Sequence, residues 1–192
     1  MRRLKIISIF LWSLLSCLIA TASSRSSDAA SIQKKLDHIQ TNGRLSQPDP
    51  TPTIMSEPEV NAYLASDMVA LPQGVNSVKL QGRSGVVTGT ALVDFDKVSQ
   101  GSGSSNPLLS IFSGVHTVVV IAQAHGSNHT GFVHIDSVSL DGVGVPRFLL
   151  QLFVEKYLQP KYPQLGLDSK FALSDRIDSA IVGAHNLTVI QR

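Results

Sequence analysis

The chain has 192 residues, 43% of them hydrophobic and 16% charged, and its formal net charge is +2. This length is enough for one domain with a real core. Three cations, Arg2, Arg3 and Lys5, lie in an N-terminal stretch without carboxylates, so the rest of the chain carries −1. A near-neutral chain has no electrostatic footprint for nucleic acid and no polybasic cluster for anionic lipid, so we expect no nucleic-acid partner.

The N-terminus has the pattern of a secretory signal peptide. The cations are followed by an apolar run from Ile6 to Ile19 and by an A-x-A motif at 20–22. The run is short for a transmembrane span, which needs about 20 apolar residues. We predict a signal peptide at 1–22 and an exported protein, periplasmic or extracellular. An uncleaved leader that anchors the protein in the membrane is the alternative. Cys17, the only cysteine, lies in this leader, so the mature chain has no disulfide.

A linker precedes the domain. Residues 23–53 begin Ser- and Ala-rich and end with three prolines, so we predict disorder and a stiff Pro-rich segment. Ile32, Leu36 and Ile39 are spaced for a possible short helix over 32–41. We place the compact domain at 54–192.

The domain opens with a helix signal and continues with hairpins. Ser56 and Glu59 form a capping-box pattern, and Met55 can staple against Val60. Period-two segments then predict antiparallel hairpins over 75–83 and 85–96, over 116–125 and 129–140, and over 177–182 and 187–190. A short apolar helix is predicted over 107–112, with Asn106 as its cap and a proline at its first position.

The most informative segment is PRFLLQLFVEKYLQPKYP, residues 146–163. Its helical projection gives one apolar arc from Leu149 through Phe153 to Tyr157, and Phe148 and Leu152 lie on the opposite side. A helix that covers one sheet face needs only one apolar stripe. The second apolar surface therefore needs a second cover, which is more sheet, a partner or an apolar ligand.

We therefore predict an α+β fold in which a curved antiparallel sheet of hairpins wraps a long apolar helix. The leading hypothesis is a non-catalytic protein that holds the acyl chains of a phospholipid or other amphiphile in an apolar groove, with about 0.8 kcal/mol from each buried methylene. The alternative is a cell-envelope scaffold with a solid core, no ligand and an envelope protein as its partner. The predicted ligand-binding residues are Leu108, Leu109, Phe112, Val119, Ile121, Phe132, Ile135, Leu149, Leu152, Phe153 and Tyr157.

Catalytic and cofactor motifs are absent from the sequence. It contains no G-x-S-x-G, no H-E-x-x-H, no P-loop and no Rossmann glycine pattern, so we expect no enzyme and no cofactor. His125 and His129 flank one turn, but a zinc site needs three or four ligands, and we predict no metal. The paired carboxylates, Asp94 with Asp96 and Asp136 with Asp141, lie where strands end and are expected to be solvated.

The order of these signals resembles a known family. SEPEVNAYL is followed by LPQGVNSVKLQGRSGVVTGTALVDFD, then by HIDSVSLDGVGVP, the apolar helix and IDSAIVGAHNLTVIQR. This order is similar to that of the tubular lipid-binding (TULIP-like) superfamily, in particular its single-module bacterial envelope proteins of the LmeA and YpmS type. The resemblance covers residues 54–191. It implies a long helix cradled in a curved sheet and binding of phospholipid-like amphiphiles, and it implies no catalytic residues.

Overall fold

The protein is an α+β domain built on one nine-stranded antiparallel sheet, which confirms the predicted class. The computed structural model describes residues 25–100, 113–160, 163 and 165–192, except the side chains of 99, 100, 157 and 158. A long apolar helix wrapped by the sheet is not seen in this part of the chain. The predicted helix over 146–160 consists of seven α-helical residues, Arg147–Phe153, followed by a π-helical turn, Val154–Leu158.

The elements follow one another in a meander of hairpins interrupted by short helices. In chain order they are α1 (residues 25–42), β1 (Thr53–Ser56), α2 (Glu57–Leu64), β2 (Val75–Arg83), β3 (Val86–Asp94), α3 (Phe95–Gln100), β4 (Val115–Ser127), β5 (Thr130–Leu140), β6 (Val143–Gly144), α4 (Arg147–Phe153), β7 (Asp168–Ala172), β8 (Ile177–Val182) and β9 (Asn186–Gln191). The strand order is β1-β9-β8-β4-β3-β2, and β5 pairs with β4, β6 and β7.

Strand β4 joins the two parts of the sheet, because it pairs with β3, β8 and β5. Its first nine residues pair with β3, its end pairs with β8 through His125 and Gly126, and β5 follows it along most of its length. Side chains alternate between the two faces of a strand. We call the side that carries Ala91, Val120 and Val189 the inner face. The opposite side, which carries Thr90 and Ile121, is the outer face.

The best-buried core lies on the inner face, at the β1–β9–β8 end. Ile32 and Ile39 of α1 are 2% and 5% exposed and form one cluster with Met55 and Val189. The helical spacing of Ile32 and Ile39 is therefore real, and the structure places their helix in the core of the domain, whereas the sequence suggested a linker before it.

Hydrogen bonds from α1 also fix α2 to this core. Lys35 Nζ donates to both carboxylate oxygens of Glu59, at 2.6 and 2.8 Å, and Ser31 Oγ donates to Oε1 at 2.6 Å. The predicted capping box is present, because Glu59 accepts from the Ser56 amide while the Ser56 side chain accepts from the Glu59 amide. Burial acts to raise the pKa of Glu59, but these hydrogen bonds outweigh it and lower the pKa to about 2.

Helix α2 also closes part of the β2 edge. The Asn61 side chain accepts from the Leu80 amide at 2.7 Å and donates to the Leu80 carbonyl at 2.8 Å, as a neighbouring strand would. Glu57 accepts from the Gly82 amide and from His185 Nδ1, which ties the tip of the β2–β3 hairpin to the β8–β9 turn.

Candidate binding site

One row of side chains crosses six strands on the outer face. The strand register aligns Ile54, Thr188, Ile181, His125, Phe132 and Lys170, in that order, from β1 to β7. Ile54 and Ile181 are 55% and 51% exposed. Exposed apolar and aromatic side chains that lie close together on a solvated face, as Ile54, Ile181 and Phe132 do here between polar neighbours, are typical of interaction surfaces.

The β7 end of this row is a stack of three side chains. The His125 and Phe132 rings are nearly parallel, with centroids 4.9 Å apart, and Lys170 Nζ lies 5.4 Å from the Phe132 centroid. Since β4 and β7 flank β5 on opposite sides, His125 and Lys170 approach Phe132 from opposite sides. Both ring faces are occupied, so Phe132 offers a ligand its edge and not a stacking surface.

A polar network lies beside the stack. A bulge in β5 leaves Asp136 without a strand partner, and its carboxylate accepts from Gln123 Nε2 at 2.9 Å. His134 bonds through Nδ1 to Asp168 and lies 3.7 Å from Asp136. Arg147 Nη2, at the start of α4, contacts Asp168 at 3.4 Å. Each carboxylate therefore already has a donor, and the network is a set of satisfied groups on the surface.

The stack, together with Gln123, His134 and Asp168 of the network, lines an open concavity of about 270 Å³. Ser169 also borders the concavity, but its side chain lies on the inner face, where the hydroxyl exchanges hydrogen bonds with the backbone of Gly166. Ligand pockets usually measure about 300–1,000 Å³, so this volume suits a small polar group and does not accommodate an acyl chain. The lining residues are Gln123, His125, Phe132, Val133, His134, Asp168, Ser169 and Lys170.

The inner face of β2–β5 has a different character. Ala122 is buried here, at 7% exposed, but the aliphatic side chains around it are only half-buried. This contrasts with the closely packed cluster below α1 on the same side of the sheet. The half-buried inner-face residues are Val78, Leu80, Val87, Ala91, Val93, Val118, Val120, Val133, Ile135, Val138 and Leu140.

Helix α4 adds further apolar surface. Leu149, Leu150 and Phe153 are half-buried, and Val154 in the π-helical turn is 6% exposed. Phe148 and Leu152, one helical turn apart, are 65% and 46% exposed. The two apolar sides that the sequence indicated are therefore present in α4, and the outer of the two has no protein cover in the described part of the chain.

The predicted lining residues are divided between the two faces of the sheet. Val119, Ile121 and Phe132 lie on the outer face, whereas Ile135 lies on the inner face. Leu149, Leu152 and Phe153 lie on α4. The structure therefore does not unite these residues in a single groove. Leu108, Leu109 and Phe112, and the side chain of Tyr157, lie outside the described residues.

The remaining histidines and carboxylates form local structural contacts. His129 Nδ1 donates to the carbonyl of Ile177 at 3.0 Å, so this nitrogen is bonded to the backbone of β8. His116 Nδ1 donates to Asp141 at 2.5 Å, and this bond, with one to the Ser113 carbonyl, raises the pKa of His116. Within the described ranges no group of three His, Cys, Asp or Glu is arranged to hold a metal ion.

Sequence reasoning missed the β7 half of the outer-face site. Asp168 and Lys170 were not singled out, because a five-residue strand with alternating charges looks like a loop. The available signal was the alternation itself, D-S-K-F-A, which puts Asp168 and Lys170 on one face and Ser169 and Phe171 on the other.

No protein-family model, curated protein or solved structure matches this chain. Among the described helices, none has both the length and the apolar composition to cross a membrane.

Proposed function

We propose that the protein is a non-catalytic binding protein for a phospholipid or another amphiphile. Its acyl chain lies along the inner face of β2–β5, beside Leu149 and Phe153 of α4. One observation carries this proposal: eleven aliphatic side chains of the inner face are half-buried, where a solid core would bury them.

The energetics favour an apolar occupant of this surface. Each methylene of a ligand that leaves water contributes about 0.8 kcal/mol, so eight to ten methylenes provide about 6–8 kcal/mol before the cost of association. This gain in binding free energy does not depend on specific hydrogen bonds or ion pairs with the ligand. Valine and alanine dominate the inner face, and their short side chains leave depth for a chain-like ligand.

The resemblance of the sequence to TULIP-like envelope proteins points to the same ligand class. We propose accordingly that the sheet curves around the helical segment 147–158 when the ligand is bound. Export to the periplasm or the cell exterior, through the leader at 1–22, belongs to the same proposal.

Titration with cis-parinaric acid, a fluorescent fatty acid, tests the function. Val120 and Ile121 are neighbours in β4 and lie on opposite faces, so they form a matched pair. We expect saturable binding that phospholipid displaces. Val120→Asn should weaken it about tenfold or more, and Ile121→Asn should leave it unchanged. Absence of saturable binding, or equal effects of the two variants, would refute the inner-face site.

A second candidate is an envelope interaction protein with a solid core. The exposed Phe148 and Leu152 favour it, because they form an apolar stripe on a short surface helix. Under this alternative, Phe148→Ser abolishes capture of an envelope protein while the chain binds no cis-parinaric acid. Retained fatty-acid binding in that variant supports the first candidate instead.

A further inference from the structure

Strand β7 has a paired edge, which faces β5, and an outer edge on which the described residues place no further strand. The Leu173 amide donates to the His129 carbonyl and the Ile135 amide donates to the Leu167 carbonyl, both at 2.8 Å. In an antiparallel ladder, every second residue directs its backbone N–H and C=O towards the paired strand, and these two bonds identify which residues of β7 do so. Residues 167, 169, 171 and 173 therefore face β5, and the amides and carbonyls of Asp168, Lys170 and Ala172 point away from the sheet. Within the described part of the chain, β7 pairs with β5 alone.

The β2 edge at the other end of the sheet is treated differently. Asn61 satisfies both backbone groups of Leu80, and Glu57 satisfies the Gly82 amide. Side chains of α2 thus occupy the positions that an added strand would take. Among the described residues, none covers the outward-facing positions of β7 in this way, and we infer that its backbone is available for strand addition.

The β7 sequence is complementary to itself in one register. An antiparallel pair of two copies, centred on Ser169, places Asp168 opposite the partner's Lys170 and Lys170 opposite the partner's Asp168. The backbone groups of Asp168 and Lys170 point away from β5, towards the second copy. Each of the two Asp168–Lys170 pairs can therefore exchange two N–H···O=C bonds, which gives four bonds in this register. Registers centred on Lys170 itself put like charges opposite each other, which is unfavourable.

We propose that two copies of this chain associate through antiparallel pairing of their β7 strands in this register. The partner's Lys170 then reaches Asp168 at the rim of the outer-face concavity, which gains a cation from the second copy. Asp168 is 69% exposed and retains its contacts with His134 and Arg147, so it is free to accept this further donor. The nine-stranded sheet becomes continuous across a twofold axis.

Sedimentation equilibrium with charge-reversal variants tests this inference. We expect the wild-type chain to dimerise at about 10–100 µM, as suits a small interface. Lys170→Asp sets two carboxylates opposite each other at both symmetry-related positions, and should weaken dimerisation about tenfold or more. The double variant Asp168→Lys with Lys170→Asp restores opposite charges and should recover the dimer. Lys79→Asp, an exposed cation of β2, is the matched control and should change nothing.

Hydrogen exchange gives a second measurement that needs no variant. The amides of Asp168 and Lys170, which form the intermolecular bonds, should exchange rapidly at about 1 µM and become protected at about 200 µM, together and to the same degree. A chain that stays monomeric at this concentration overturns the proposal. So does a dimer whose affinity is unchanged by Lys170→Asp, or whose β7 amides remain unprotected.

Discussion

Substituting Ala91 by leucine tests directly whether the inner face has space to fill. Ala91 lies in the middle of β3, half-buried and flanked by Val78 of β2 and Val118 of β4. Leucine adds three carbons. If they enter an unfilled groove and are buried to about half, they contribute about 1 kcal/mol. If the inner face is already closely packed, the same atoms cost about 1–3 kcal/mol through strain. An unfilled groove and a closely packed inner face therefore predict changes of opposite sign in the free energy of unfolding.

The assay is urea unfolding combined with cis-parinaric acid titration. We expect the free energy of unfolding of Ala91→Leu to stay equal to that of wild type or to rise by about 1 kcal/mol, while the affinity for the fatty acid falls about tenfold. Thr90→Leu, one residue away on the outer face, is the control and should leave the affinity unchanged. A loss of more than about 1 kcal/mol in Ala91→Leu, with Thr90→Leu neutral, would show a packed inner face and refute the reasoning.

Three further predictions concern the contacts that hold the domain together. Asn61→Ala leaves the amide and the carbonyl of Leu80 unpaired. It should reduce the free energy of unfolding, measured by urea denaturation, by about 1–3 kcal/mol. An effect below about 0.5 kcal/mol would contradict the closure of the β2 edge by α2. The pKa of Glu59 falls from 4.5 to about 2 on folding. Its ionised form therefore contributes up to about 3 kcal/mol to the free energy of unfolding, and this contribution is complete above pH 4.5 and is lost as the pH falls towards 2. Glu59→Gln should flatten this part of the stability profile, and an unchanged profile would exclude Glu59 as its source. The raised pKa of His116 gives the opposite pH dependence. Its contribution to the free energy of unfolding is complete below pH 6.5 and is lost as the pH rises through the folded-state pKa. Asp141→Asn should bring the pKa of His116 back towards 6.5 in an NMR titration, and a pKa that stays raised would mean that Asp141 is not the main cause.

The strongest local signals predicted their elements well. The capping box at Ser56 and Glu59 and the hairpins over β2–β3, β4–β5 and β8–β9 are present, with strand ends shifted by up to two residues. The turn before β5 lies at Asn128 and His129, both with positive φ. These features depend on neighbours in sequence, which is why pattern analysis finds them.

The missed features depend on distant partners. Strand β1 has four residues directly after a proline-rich segment, and it is a strand because β9 pairs with it. The sequence predicts the helix at residues 25–42 only as a possible short helix over 32–41, and the place of this helix in the core depends on contacts with Met55 and Val189, which follow it by many residues. The division of Ile121 and Ile135 between two faces follows from strand phase and register, which an apolar run alone does not specify.

Native mass spectrometry of the protein, purified gently from the cells that produce it, tests the central claim most directly. The account predicts one amphiphile per chain, released by organic solvent and absent from the Val120→Asn variant prepared in the same way. A mass equal to that of the bare polypeptide in repeated gentle preparations, with no affinity for added phospholipid, would contradict it.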